Sequence, residues 1–127
     1  MKTFYHGSPT PNIKILEPRF DPRLEMEGLF VADEPFGPMM FALLPVRAHA
    51  TVNYETVKGE FIKGKVVTPA INDEGWLYTV IVEDDIVVER KEGRFHLTAP
   101  VKVSDVKKVT KDEVLKLGWE VVIEEKK

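Results

Sequence analysis

Between residues 9 and 22 the chain carries four prolines, Pro9, Pro11, Pro18 and Pro22. Proline offers no backbone N–H and fixes φ at about −65°, so no helix runs through this stretch and a central strand does not tolerate it. Residues 9–27 therefore read as a long ordered loop, with at most one helical turn at Ile13 to Leu16. A loop of that length in a short chain is usually functional or a lid. The core has to be assembled from the segments on either side of it.

Ahead of the loop, Thr3 to His6 reads as a strand that ends at once in Gly7-Ser8-Pro9. Gly7 supplies backbone freedom and the Ser8 hydroxyl can bond its own backbone. After the loop, Gly28 to Ala32 is a short apolar strand. Asp33 then suits a helix N-cap, Glu34 the N-terminal dipole and Pro35 the first turn. The pattern predicts a helix from Asp33, carrying Met39, Met40, Phe41, Leu43 and Leu44 and stopping before Pro45.

Helical periodicity then fades, and Ala48 to Tyr54 fits neither period. Glu60 to Val67 reads as strand interrupted at Gly64. Trp76 to Val82 is the strongest strand signal, with Ile86 to Arg90 as its hairpin partner. Lys91 to Gly93 breaks the chain before two further strands, Arg94 to Leu97 and Val101 to Val109. Thr110-Lys-Asp-Glu113 is a capping box, followed by Val114, Leu115 and Leu117 on one face and Gly118 as the stop. Trp119 to Ile123 closes as a strand. About seven strands and two helices without βαβ alternation give an α+β fold with a mainly antiparallel sheet.

A length of 127 residues suits one domain spanning 1–127, and 43% hydrophobic with 31% charged residues is ordinary for a globular chain. There is no cysteine, so disulfides, thiolate zinc sites and a Cys nucleophile are all excluded. No apolar run approaches the roughly 20 residues of a membrane span, and the chain opens without a signal-peptide pattern. These features lead to the expectation of a cytoplasmic protein without a membrane partner. The net charge of −3 disfavours a general nucleic-acid binder. His6, His49 and His96 lack the short spacing of a zinc site, so no metal is expected. Ser8 and Ser104 are the only serines and neither sits in a nucleophile elbow. Arg94 and His96 alternate with Phe95 and Leu97, the pattern of a strand with one solvated face.

Two fragments together carry a resemblance. FYHGS, followed some twenty residues later by GLFVADEPFGPMMFA, resembles the ADP-ribosyltransferase fold in its poly-ADP-ribose polymerase branch. The same His-Gly strand is similar to the RNA 2′-phosphotransferases, and GWLYTV and RFHLTAPVKV fall where small bacterial members place later strands. The resemblance implies a mainly antiparallel split sheet with two main helices and NAD as co-substrate. His6 matches the histidine that bonds the adenosine ribose, and Gly7 the glycine whose backbone pairs with the nicotinamide carboxamide; Ser8 adjoins them in the ligand site. Phe30 and Phe41 match the two aromatics that sandwich the nicotinamide. Pro38 replaces a serine that would orient the carboxamide. Arg94 stands where the catalytic glutamate belongs, and Glu92 is the nearby carboxylate that could replace it.

The resemblance thus implies transfer of ADP-ribose from NAD to a protein or nucleic-acid acceptor, with activity weakened or lost by Arg94. A rival reading is a non-catalytic binding module on the same fold. Another is a 2′-phosphotransferase-like enzyme of nucleic-acid ends that recruits Arg19, Arg23, Arg47 and Arg94 for phosphate; the low net charge weighs against it.

Overall fold

The fold is seen in a computed structural model that describes residues 1–21, 26–45, 50–91 and 94–124. In chain order its elements are β1 (Lys2–Ser8), β2 (Ile15–Leu16), β3 (Arg19–Asp21), β4 (Met26–Ala32), α1 (Phe36–Phe41), β5 (Thr51–Val57) and β6 (Glu60–Thr68). There follow β7 (Glu74–Val82), a 3-10 turn at Asp84–Ile86, β8 (Val87–Lys91), β9 (Arg94–Leu97), β10 (Val101–Lys102), β11 (Asp105–Thr110), α2 (Lys111–Leu117) and β12 (Trp119–Ile123). The chain is α+β and mostly antiparallel, with two helices among the described residues. No helix among them is long and apolar enough to cross a membrane.

The main sheet runs in the order β11-β7-β1-β4-β9-β8, with β3 also paired to β4; β10 and β2 form a separate pair, and β12-β6-β5 a small third sheet. Alternation along β7 sorts the interior into two cores. Tyr78, Val80 and Val82 join Phe4, Leu29, Val31 and Leu97 in one, while Leu77 joins Met40, Leu43, Leu44, Val66, Val109, Val114 and Trp119 in the other. The first core is closed by Leu16 and Val101, from β2 and β10. The second is closed by both helices and the small sheet.

The proline-rich loop is held from below. The hydroxyl of the fully buried Tyr78 donates to the Thr10 carbonyl and accepts from the Ile13 N–H at 3.3 Å. Val103 N–H donates to the Lys14 carbonyl at 2.9 Å. Where the sequence suggests a helical turn, Ile15–Leu16 instead pairs with Lys102 and Val101 as strand, because Leu16 is needed in the core. Tyr78→Phe removes both hydroxyl bonds while keeping the ring, and is expected to cost about 1–3 kcal/mol. Denaturant unfolding measures this; an unchanged midpoint would mean that the Tyr78 hydroxyl does not help to hold the loop.

Several local expectations give way to packing. Asp33 is not the N-cap: α1 starts after Pro35, which makes no side-chain cap bond, and regular helix ends at Phe41. The chain from Ala42 to Leu44 continues in tight bonds such as Leu43 N–H to the Met40 carbonyl, which seats Leu43 and Leu44 in the core. Gly64 does not interrupt β6; the Trp119 indole lies across it, so that a Cβ there would sit 2.7 Å from the ring. The stretch Val101 to Val109 divides into β10 and β11, and β8 pairs with β9 rather than with β7. β1 takes one edge of β7 along its length and β11 takes the other as far as Thr79, and the 3-10 turn at Asp84–Ile86 carries the chain away before β8 begins.

Thr110 is the N-cap as expected: its Oγ1 accepts from the Glu113 N–H at 3.2 Å and donates to Glu113 Oε1 at 3.4 Å, and Gly118 ends α2 at φ 125°. Only Val114 of α2 is buried; Leu115 and Leu117 face out, contrary to the expected apolar face.

Candidate functional site

β1 pairs with β7 along its whole length but shares a single ladder pair with β4, Tyr5 with Ala32. Past that pair the two halves of the main sheet part. There the imidazole of His6 crosses the gap, with Nδ1 2.8 Å from the Phe30 carbonyl oxygen. A carbonyl can only accept, so Nδ1 carries the proton of this bond. A side chain stands where a backbone ladder would otherwise continue.

Next to His6, Gly7 lies against α1. A Cβ at Gly7 would overlap the Pro38 carbonyl oxygen and sit 2.8 Å from the Ala42 nitrogen. A Cβ at Gly75 on β7 would overlap the Ala42 carbonyl in the same way. The two glycines thus form a seat into which the backbone of α1 settles, and this fixes α1 against the start of the gap. Ser8 is buried, and its Oγ accepts from the Thr10 N–H at 3.1 Å, the local turn expected of this residue.

On β4, alternation puts Gly28, Phe30 and Ala32 on one face, with Leu29 and Val31 in the first core on the other. β9 pairs Phe30 with His96 and Ala32 with Arg94, so those two residues share the Phe30 face. Phe30 meets the His96 ring edge-on, with centroids 6.2 Å apart. His96 is only 6% exposed, not on a solvated face as the alternation suggests. It is covered by Gly28, whose missing Cβ would sit 3.2 Å from the ring, and by Phe30. Arg94 remains exposed at the rim.

Tyr54 of β5 packs on Phe36 and Trp119 from the small sheet, near enough to Arg94 to feel its charge. Its hydroxyl would lie 3.4 Å from a Cβ at Gly37, and Thr56 two residues on donates to Glu34 Oε1 at 3.3 Å. Burial first, and then the charges of Glu34 and Asp33, push the Tyr54 phenol above its ordinary value; Arg94 and the Gly37 N–H pull the other way. The phenol therefore stays protonated near neutral pH and can donate a hydrogen bond.

Of the residues singled out in the sequence, His6, Gly7 and Phe30 meet at the gap, and Arg94 shares the Phe30 face. Phe41, on α1, is half-buried and packs against the second core with Met40 and Leu43. Arg19 is exposed on β3. Glu92, Arg23, Arg47 and His49 lie outside the described residues. Two residues of the site carried no local signal. Tyr54 sits in the stretch without periodicity, and His96 looked solvated because the strand that covers it lies 68 residues earlier, at Gly28.

No protein-family model, curated protein or solved structure matches this chain.

Proposed function

We propose that this chain is an ADP-ribosyltransferase-like domain that holds NAD, or an adenosine nucleotide derived from it, where β1 and β4 part. The observation that carries the reading is the His6 to Phe30 bond. It holds the His6 imidazole in the gap between the two strands, and an imidazole nitrogen is a group that can bond a ribose hydroxyl. Phe30 offers a half-buried aromatic surface on the adjoining face, suited to a flat heteroaromatic ring. Arg94 at the rim is placed to meet a phosphate, since a guanidinium binds such an anion through two parallel N–H bonds. The reaction proposed for the fold transfers ADP-ribose to a macromolecular acceptor and releases nicotinamide. The charge of Arg94 points to weak or absent turnover, so binding is the property to measure first.

Thermal unfolding with NAD, ADP-ribose, nicotinamide and a 2′-phosphorylated dinucleotide tests the reading. A ligand of the native state alone raises the melting temperature. NAD and ADP-ribose are expected to raise it. A shift with the 2′-phosphorylated dinucleotide alone would favour the phosphotransferase-like reading instead, and no shift with any nucleotide would overturn the site.

His6→Ala is expected to weaken binding of the adenosine ligand by about 1–2 kcal/mol, the scale of one lost hydrogen bond. His6 is half-exposed, two residues before the end of β1, so the unliganded protein should lose no more than about 1 kcal/mol, the contribution of its bond to the Phe30 carbonyl. Titration calorimetry of both proteins checks this, and equal affinities would remove His6 from the site.

A further inference from the structure

A groove of about 600 Å³ lies at the opposite end of β1 from His6. Its walls are Ile81, Val82, Ile86, Val101 and Val103, and Glu83, Asp85 and Lys102 stand at its rim. The groove exists because β11 abandons β7 early. The last ladder pair between them is Asp105 with Thr79, where Ser104 N–H also donates to the Thr79 carbonyl at 2.8 Å.

Along a strand the backbone groups of residues i and i+2 point the same way. Thr79 points its carbonyl toward β11, so Ile81 points its N–H and C=O in the same direction, over the groove. Beyond Thr79 no strand among the described residues pairs with β7 on this side. On the other side β1 continues through Thr3, paired with Ile81, and Lys2, paired with Val82, which keeps this length of β7 extended. The Ile81 side chain is itself 49% exposed. An open sheet edge thus borders an apolar trough, the arrangement that captures an added strand.

The charges select the strand. Glu83, Asp84 and Asp85 follow one another at the end of β7. Lys2 lies 3.9 Å from Asp84, both side chains exposed to solvent, and Lys102 is the one cation among the lining residues. A second copy of this chain, with net charge −3, would meet like charge here. We propose that the groove takes an extended basic peptide segment of a partner protein, which adds a strand to the open edge of β7 at Ile81. Its alternate apolar side chains rest on Val101 and Val103, and its lysine or arginine side chains meet Glu83 and Asp85.

The probe is a capped, fluorescent heptapeptide alternating lysine and valine, followed by anisotropy at low salt. It is compared with a glutamate–valine analogue and with a lysine–valine peptide N-methylated at alternate residues. The first should bind, and the other two should bind at least tenfold more weakly, one for charge and one for lost main-chain bonds. Hydrogen exchange at the Ile81 amide should slow when the first peptide is added. Glu83→Lys with Asp85→Lys, both exposed and so compatible with the fold, should weaken binding at least tenfold, and added salt should act in the same direction. Equal affinity for both charge types, tolerance of N-methylation, or an unchanged Ile81 amide would overturn the proposal. So would sedimentation as a dimer with Ile81 protected in the absence of peptide.

Discussion

Gly7→Ala should unfold the protein or force α1 off the main sheet, at a cost of 3 kcal/mol or more, above the about 1–3 kcal/mol usual for overpacking. The reason is what the new methyl would meet. It collides with the Pro38 carbonyl and the Ala42 nitrogen, backbone atoms of α1 and of its C-cap, so no side-chain rotation relieves the clash. α1 cannot retreat cheaply, since Met40, Leu43 and Leu44 are seated in the second core on its far end. Gly75→Ala should behave alike, through the Ala42 carbonyl. Gly59→Ala is the control for handling: nothing lies within 4 Å of a Cβ there, and only its φ of 79° carries a penalty, of about 1 kcal/mol. Denaturant midpoints for the three variants separate these cases. If Gly7→Ala were no worse than Gly59→Ala, the close seat of α1 would be wrong.

The second large effect concerns turnover, and it depends on charge at one rim position. Breaking the nicotinamide–ribose bond develops positive charge on the ribose, which a nearby carboxylate stabilises and a guanidinium opposes. Arg94 stands on the Phe30 face, at the position where the ADP-ribosyltransferase reading calls for that carboxylate. The natural protein is therefore expected to release little or no nicotinamide from NAD. Arg94→Glu should raise release at least tenfold, equivalent to about 1.4 kcal/mol of barrier. Arg94 is exposed, so the exchange should leave the fold intact. If the natural protein does turn over, Glu92 is the expected carboxylate and Glu92→Gln should abolish release. Rapid transfer that survives Glu92→Gln would place the chemistry elsewhere. Because the melting experiment with NAD reads binding alone, a protein that binds but does not turn over remains distinguishable from one that does neither.

Local signals sufficed for most elements of this chain. Alternating β-formers marked β1, β4, β7, β9 and β12, and Thr110, Glu113 and Gly118 marked both ends of α2, because each signal is satisfied by atoms a few residues away. The His6 and Phe30 strands were legible for the same reason, although β1 runs on through Gly7 to Ser8, where the sequence suggests a turn, because β7 pairs with it that far. What the sequence could not specify was neighbourhood. Nothing in Val87–Lys91 says that it pairs with β9 rather than β7; that is decided by the 3-10 turn at Asp84–Ile86, which carries the chain away from β7, and by the free side of β9. Gly64 reads locally as a break and becomes the floor for Trp119 from a strand 55 residues later. His96 reads as solvated and is buried because Gly28 and Phe30 close over it. Periodicity reports which side of an element is apolar. Which distant surface covers that side is decided by excluded volume and by the pairing of every available sheet edge, and those exist only in the assembled molecule.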